Sequence, residues 1–351
     1  MPRHSDQDRS LGAPLLQVKD LTVKFGTEDG VVNAVRGVSY DLARREVLAI
    51  VGESGSGKSV SSLAVMGLLP RSAHITGQII FDGKDIAQAT GAERRSLRGR
   101  RVAMIFQDPM TALNPVYSVG DQLAEAVRSH EAVSKKIALD RAAEMLALVG
   151  IPRPKDRLKA YPHEFSGGMR QRVMIAMAVI NNPDIIIADE PTTALDVTVQ
   201  AQILEKLMEV KDAVNAAIVL ITHDLGVVAG MANRVLVMYA GRAVESGATE
   251  QVFNTPRMPY AAGLLGSIPS LESAGGRLRP IPGAPPSLIN LPPGCPFSPR
   301  CPLAQQKCLD LEPPLYATDQ PEHVAACHFW EELADREDPT SIFRAQGVPA
   351  Q

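Results

Sequence analysis

The most constraining feature of this chain is the glycine-rich segment 52–59, GESGSGKS, which fits the pattern G-x-x-x-x-G-K-[ST]. The apolar run Val47–Val51 precedes it and predicts a buried strand, and a helix-like run follows at 60–69. Glycines at such a junction let main-chain N–H groups point inward at a phosphate, and the start of the helix adds partial positive charge. This segment, the phosphate loop, therefore predicts a nucleotide site.

The side chains of the phosphate loop have distinct expected roles. Lys58 is placed to reach the β- and γ-phosphates and is a candidate catalytic residue, and Ser59 is placed to bind Mg²⁺. The other expected phosphate contacts are Gly52, Ser54, Gly55, Ser56 and Gly57. A chance Gly/Ser-rich loop is the alternative, and a full match between a strand and a helix argues against it.

A pair of adjacent acids, Asp189 and Glu190, follows the apolar run 185–188. Two carboxylates at the end of a buried strand are costly unless a cation or a reaction needs them. The pair predicts that Asp189 holds Mg²⁺, directly or through water, and that Glu190 polarises the attacking water. Acids often end strands, so the pair indicates a catalytic site only in combination with the phosphate loop.

A second anion-binding surface is predicted at Ser166, Gly167 and Gly168, which precede the apolar helical run 172–180. One nucleotide does not need two such surfaces from one chain. They make sense if each serves a different nucleotide in a dimer. The alternative is a helix that is merely capped.

The distribution of apolar runs predicts the fold class. Strand-like runs alternate with helical stretches from residue 15 to about 267, which favours an α/β fold with a parallel core sheet. The prolines of residues 280–299 exclude a regular helix or a central strand there. Residues 1–13 are polar, and we expect a disordered tail.

The order of these motifs resembles that of an ABC transporter nucleotide-binding domain over residues 15–267. Between the phosphate loop and the second anion surface stands FQDP with Gln107, and after the acid pair come ALD with Asp196 and THD with His223. The resemblance implies a P-loop fold with a RecA-like parallel core sheet, an antiparallel β subdomain and a helical subdomain at about 108–182. The domain would span 14–267, followed by a C-terminal extension at 268–351.

The resemblance also implies roles for single residues. Two domains would pack head to tail around two ATP molecules, so that Ser166–Gly168 and Asp196 contact nucleotide at the dimer interface. Gln107 would sense Mg²⁺, and His223 would contact the γ-phosphate and orient water with Glu190. Phe25 is the candidate for stacking on adenine, with packing in the core as its alternative.

A finer resemblance points to the importers of oligopeptides, dipeptides and nickel. It is carried by the segments 107–115, 191–202, 259–265 and 281–283. It implies a heterodimer with a homologous second ATPase, two transmembrane permease subunits and an extracytoplasmic substrate-binding protein. This chain departs from the pattern at Arg45, where relatives usually have glycine, and at Met169, where many have glutamine.

Charge and hydropathy restrict where such a chain acts. A net charge of −3 argues against a bulk nucleic-acid binder, and no apolar run approaches the roughly 18–20 residues that span a bilayer. The polar N-terminus also lacks the apolar core of a signal peptide. We therefore expect a peripheral protein on the cytoplasmic face of the membrane, bound through permeases, with no nucleic-acid partner.

Two other functions compete with the importer ATPase. A soluble ABC ATPase that acts on nucleic acid or ribosomes would be expected to carry twin cassettes or an inserted binding module. A redox or interaction protein with a vestigial ATP site would not be expected to keep Lys58, Asp189, Glu190 and His223.

All four cysteines fall in one short part of the chain, with the spacing Cys295-x5-Cys301-x6-Cys308-x18-Cys327. Structural disulfides are rare in the cytoplasm, so clustered thiols on a proline-rich segment suggest a metal site. The spacing lacks the short C-x₂₋₄-C pair of most zinc sites, whereas iron–sulfur sites tolerate wider gaps. The resemblance adds that some peptide-importer ATPases carry a [4Fe–4S] cluster here. Zinc and free or redox-switching thiols remain alternatives, with His323 and His328 as possible substitute ligands.

Overall fold

The computed structural model describes residues 12–87, 89–108, 112–192, 196–267 and 281–343. The strands are β1 (Leu16–Thr27), β2 (Gly30–Leu42), β3 (Val47–Val51), β4 (Ala73–Phe81), β5 (Lys84–Asp85), β6 (Val102–Ile105), β7 (Ile185–Asp189), β8 (Ala217–Thr222), β9 (Arg234–Tyr239), β10 (Arg242–Ala248), β11 (Tyr316–Ala317) and β12 (Val324–Ala325). The predicted tail, residues 1–13, lies almost entirely outside the described residues.

Twelve α-helices and three short 3₁₀ turns occur among the described residues. The helices are α1 (Lys58–Met66), α2 (Gly91–Leu97), α3 (Val119–Arg128), α4 (Lys135–Leu148), α5 (Pro154–Arg157), α6 (Gly167–Val179), α7 (Val197–Val214), α8 (Leu225–Ala229), α9 (Thr249–Asn254), α10 (Pro259–Gly266), α11 (Gln306–Asp310) and α12 (Trp330–Ala334). The 3₁₀ turns are Pro162–Glu164, Ser298–Arg300 and Pro339–Phe343. None of these helices has both the length and the hydrophobicity to cross a bilayer.

The central sheet has the strand order β11-β12-β10-β9-β3-β8-β7-β6. Its middle pairs, from β9 to β6, are parallel, which confirms the predicted parallel core. Strands β3 and β8 are buried along their whole length, because both faces of the sheet are covered. Successive residues of β7 point to opposite faces of the sheet. Ile186 packs against the helices α3, α4, α6 and α7, and Ile187 packs against strands β1, β2 and β4.

The second sheet is antiparallel, with the order β2-β1-β4-β5, and matches the antiparallel β subdomain that the resemblance implies. Strand β2 leads into β3 through a turn in which Arg45 has a φ of 63°. That left-handed conformation favours glycine, which gives a physical reason why relatives would carry glycine there.

The described residues after the gap, 281–343, form the extension. Its strands β11 and β12 add to the edge of the central sheet, where Glu245 pairs with Ala325. Its buried apolar side chains, among them Phe297 and Leu333, share one core with Val51 of β3. The extension therefore packs directly on the nucleotide-binding sheet, and the predicted boundary at 267/268 falls beside the undescribed residues 268–280 and stays a prediction.

Candidate active site

The phosphate loop lies between the end of β3 and the start of α1, under close steric limits. Gly52 has a φ of 150° and Gly57 a φ of 98°. A Cβ atom on Gly52 would stand 2.2 Å from the carbonyl oxygen of Met238, and one on Gly57 would stand 2.4 Å from that of Ala34. Only glycine fits at these positions, so the loop is wrapped tightly against β2 and β9.

Lys58 is buried and points back into the phosphate loop. Its Nζ donates hydrogen bonds to the carbonyl oxygens of Gly52 at 2.7 Å and Glu53 at 2.9 Å. Burial lowers the pKa of Lys58, while Glu190 and Asp189 oppose that shift. The ammonium group thus lies where phosphate oxygens could replace the carbonyls as its partners.

The rest of the loop carries polar groups that an anionic ligand could contact. Ser54 and Gly55 are exposed at its tip, and Ser56 is buried. The hydroxyl oxygen of Ser56 has no hydrogen-bond partner among the described residues. Because an unpaired buried hydroxyl is costly, this atom supports the prediction that the loop receives a ligand.

The predicted magnesium ligands meet beneath the loop. The Oγ of Ser59 donates a hydrogen bond to Oδ1 of Asp189 at 2.9 Å. Burial raises the pKa of the Asp189 carboxyl, and the hydrogen bond from Ser59 opposes that shift. A hydroxyl and a carboxylate are oxygen donors of the kind Mg²⁺ prefers, so these two residues fit the ion.

Three predicted catalytic residues meet at the carboxyl edge of the parallel sheet. Gln107 follows β6, Glu190 follows β7 and His223 follows β8. The Nε2 of Gln107 donates to Oε2 of Glu190 at 3.2 Å, and Nδ1 of His223 lies 3.4 Å from Oε1 of Glu190. Glu190 also has a φ of 45°, a strained conformation for a residue other than glycine and one typical of functional sites. The structure therefore brings these three side chains together.

The second anion surface lies at the start of α6. Ser166 is exposed, and its hydroxyl accepts a hydrogen bond from the N–H of Met169 at 3.4 Å. Asp196 is exposed at the start of α7 and accepts a hydrogen bond from Val199 N–H at 3.0 Å. A Cβ on Gly168 would stand 2.9 Å from Val199, so these two helix starts are neighbours. Contact of Ser166, Gly167, Gly168 and Asp196 with a partner's nucleotide stays a prediction.

Phe25 lies in β1, where it pairs with Val32 on one side and Ala73 on the other. Its ring is half-buried and packs against the core between the two sheets. One part of the ring therefore contributes to packing while another remains open to solvent. Stacking on adenine stays a prediction.

The four cysteines are brought together by the structure. All are free thiols, and all four line one cavity, which Phe297 also borders. Burial raises the pKa of Cys295 to about 11 and the pKa values of Cys301 and Cys327 to about 12. Reactive thiols are exposed and have low pKa values, so these features argue against a simple redox-switching thiol.

The candidate metal ligands of the described residues do not form a metal-binding group in the structure. Within the described ranges, no three side chains of His, Cys, Asp or Glu converge on a point that could hold one metal ion. His323 lies elsewhere, with its Nε2 2.7 Å from Oε1 of Glu245. His328 borders the cavity, but its ring nitrogens contact the Tyr316 hydroxyl and the Leu311 carbonyl oxygen.

Sequence reasoning missed one residue beside the phosphate loop. Arg300 of the extension forms a two-pronged ion pair with Glu53, although 247 positions separate them. Tyr260 of α10 contacts the same residue, because its hydroxyl accepts a hydrogen bond from Glu53 N–H at 2.7 Å. The only local signal for Arg300 is its position directly before Cys301.

Two family models match the sequence. A model described as ABC transporter covers residues 35–193, and a model described as oligopeptide/dipeptide transporter, C-terminal region, covers residues 244–308. The first match contains the phosphate loop, the second anion surface and the acid pair. The second begins within β10, includes α9 and α10, and contains three of the four cysteines.

Similar proteins include two named for transport. The dipeptide transport ATP-binding protein DppD of Bacillus subtilis is 54% identical over 92% of this chain and 96% of its own length. The oligopeptide transport ATP-binding protein OppD of Mycobacterium bovis is 53% identical over 95% of this chain, which spans only 55% of that protein.

Solved structures share the fold. A bacterial ABC transporter cassette, determined as a dimer, superposes with a TM-score of 0.60 at 25% identity, over 67% of this chain and 98% of that chain. A part of an ABC transporter complex from Clostridium perfringens superposes with a TM-score of 0.59 at 29% identity, over 69% of this chain and 91% of that chain.

Proposed function

The chain belongs to the ABC transporter family of ATP-binding proteins, and from this premise we propose that it is the ATP-hydrolysing subunit of an oligopeptide or dipeptide importer. The observation that carries the ATPase proposal is the meeting of Gln107, Glu190 and His223 beside the loop that holds Lys58. The peptide substrate is supported by the match of residues 244–308 and by the names of the relatives.

The reaction follows from the positions of these side chains. Lys58 and the N–H groups of the phosphate loop bind the β- and γ-phosphates, and Ser59, Asp189 and Gln107 would hold Mg²⁺. The ion supplies charge neutralisation on the phosphates when it is bound.

Glu190 accepts a proton from water as the water oxygen attacks the γ-phosphorus and the bond to the β–γ bridging oxygen breaks. His223 contacts the γ-phosphate and helps to orient that water. Its exposed ring next to Glu190 is free to approach a nucleotide as the site closes.

The assembly is part of the proposal. Ser166, Gly167, Gly168 and Asp196 would complete the nucleotide site of a homologous second ATPase in a head-to-tail heterodimer. Two permease subunits would hold the pair at the cytoplasmic face of the membrane, and a substrate-binding protein would deliver peptide from outside. A solved cassette of the same fold was determined as a dimer, which supports the pairing of two ATPase domains.

We place a [4Fe–4S] cluster on the four cysteines. Each iron of such a cluster takes one thiolate, so the thiols surround a volume and do not converge on a point. The four cysteines that line one cavity and the absence of a C-x₂₋₄-C pair in their spacing support this assignment over a zinc ion. Iron and acid-labile sulfide measured after anaerobic purification test this assignment, and stoichiometric zinc without sulfide would contradict it.

Transport itself is tested with the assembled complex in liposomes. Labelled peptide should accumulate only when the substrate-binding protein, both permeases, the second ATPase, this chain and ATP are all present. The control complex carries Lys58→Ala in this chain, which removes the phosphate contact. A wild-type complex that hydrolyses ATP but takes up no oligopeptide or dipeptide would refute the substrate class.

A further inference from the structure

Glu53 brings a negative charge into a loop that is otherwise built to bind anions. It is the second residue of the phosphate loop, and its carbonyl oxygen already accepts hydrogen bonds from Lys58 Nζ at 2.9 Å and Ser56 N–H at 3.2 Å. Its carboxylate is mostly shielded, with 28% of the side chain exposed. An unpaired carboxylate here would repel a triphosphate.

Arg300 neutralises this carboxylate from the extension. Its Nη1 donates to Oε2 of Glu53 at 2.6 Å, and its Nη2 donates to Oε1 at 2.8 Å. Both carboxylate oxygens are therefore occupied by one guanidinium in the two-pronged geometry that gives the strongest such pairs. The Arg300 side chain is only 4% exposed, so solvent screens the pair little.

The guanidinium is itself fixed by its surroundings. Its Nε donates to the carbonyl oxygen of Pro282 at 2.9 Å, and Nη1 donates to the hydroxyl of Tyr239 at 3.3 Å. The rings of Tyr239 and Phe297 lie 5.9 Å from its central carbon. Because Arg300 is held on several sides, it can hold the phosphate loop in turn.

We propose that Arg300 is a positioning residue for ATP, which fixes the start of the phosphate loop and cancels the charge of Glu53. The nucleotide site then includes the extension, although Arg300 need not touch the nucleotide. The inference rests on the proposed nucleotide-binding role of the loop. The alternative is a purely structural role, in which Arg300 only anchors the extension to the rest of the chain.

ATP affinity distinguishes positioning of the nucleotide site from anchoring of the extension. It is measured in the assembled complex for Arg300→Gln, Glu53→Gln and the double variant. Arg300→Gln should weaken ATP binding about tenfold, as expected for one uncancelled charge at roughly 10 Å in an effective dielectric of about 20. The double variant removes both charges and should bind ATP within about threefold of the wild type. The loss in Arg300→Gln should also shrink in about 1 M salt, where the screening length is about 3 Å.

Arg257→Gln is the matched control. Arg257 joins the extension through a two-pronged pair with Asp319, at 3.0 Å for both contacts, without touching the phosphate loop. It should leave ATP affinity unchanged. If Arg300→Gln and Arg257→Gln weaken binding equally, or if the double variant binds as poorly as Arg300→Gln, the proposal is overturned.

A further variant covers the case in which Arg300→Gln does not fold. Arg300→Lys keeps the positive charge but not the fork, and should bind ATP within about threefold of the wild type at low salt. A tenfold loss in this variant would contradict charge cancellation. If the wild-type complex binds no ATP, the proposed function fails first, so the two failures are distinguishable.

Discussion

In the nucleotide site the reactive side chains lie within two residues of the ends of β6, β7 and β8, whereas the extension places its side chains on segments with few regular elements. Glu190 is aimed by a strand whose five residues are all buried. Arg300, by contrast, stands in a three-residue 3₁₀ turn and is held by side-chain and carbonyl contacts.

The difference shows two ways of holding a polar group in place. A sheet buried on both faces fixes the carboxyl ends of its strands through main-chain hydrogen bonds and apolar packing. Among its described residues, the extension has only one short ladder of its own, between β11 and β12, and its proline-rich segment is excluded from regular strands. Ion pairs and buried polar contacts therefore hold more of its side chains in place. Substitutions at the strand ends should therefore change turnover, whereas substitutions in the extension should change the order of the chain or, at Arg300, the affinity for ATP.

The largest effect is expected from Glu190→Gln, which keeps the shape of the side chain but removes the base. Turnover should fall by about 10²–10⁴-fold while ATP binding persists, because the phosphate contacts of the loop are untouched. Turnover is measured as phosphate release by the assembled complex, and ATP binding is measured on the same complex. Glu144→Gln, an exposed change on α4, is the control. Normal hydrolysis by Glu190→Gln would show that another group accepts the proton.

The sequence also predicts the nucleotide site better than it predicts the extension. The family and fold class predicted from the motifs are confirmed by the matching family model and by relatives above 50% identity. This succeeds because each motif is a local run, and parallel strands necessarily bring their carboxyl ends to one edge. The motifs and the parallel sheet are therefore enough to predict that Gln107, Glu190 and His223 lie close together.

The contacts of the extension were harder to predict because they join distant positions. Glu53 and Arg300 are 247 positions apart, and Glu245 and His323 are 78 apart. No local periodicity encodes such pairs. The sequence grouped the four cysteines through their spacing and places Arg300 beside Cys301, yet it could not show that the Arg300 guanidinium contacts Glu53 of the phosphate loop.

If the four cysteines bind the proposed cluster, Cys301→Ser should abolish metal binding. Removing one thiolate from a four-cysteine set should reduce iron and acid-labile sulfide in anaerobically purified protein to background. The extension should then become more susceptible to proteolysis, since a cross-link among its segments is gone. Leu309→Ser, an exposed change beside Cys308, should keep the metal. Retention of full iron by Cys301→Ser would exclude this thiol as a ligand.

A loss of stability is expected where the two regions are joined. Glu245 is fully buried and accepts hydrogen bonds from the N–H groups of Arg257 and Met258, at 2.7 and 3.0 Å, and contacts His323. Glu245→Ala leaves these groups unpaired and should lower the free energy of unfolding by about 3 kcal/mol.

Denaturant unfolding of the purified chain measures this change. Glu250→Ala, an exposed acid on the neighbouring α9, should change stability by less than about 0.5 kcal/mol. Equal stability of the Glu245→Ala and Glu250→Ala proteins would mean that the contact between β10 and the extension contributes nothing.

The smallest effect is expected at Phe25, whose ring packs partly in the core and is partly exposed, where it could stack on adenine. If the open part of the ring stacks on adenine, Phe25→Leu should raise the KM for ATP about fivefold, at the lower end of aromatic–base stacking, while kcat changes little. Leucine keeps most of the apolar contact with the core, so stability should fall by only about 1 kcal/mol. Val23→Ala, at a fully buried position of the same strand, should do the reverse and reduce stability without changing KM. If Phe25→Leu behaves like Val23→Ala, the ring belongs to the core alone and adenine is recognised elsewhere.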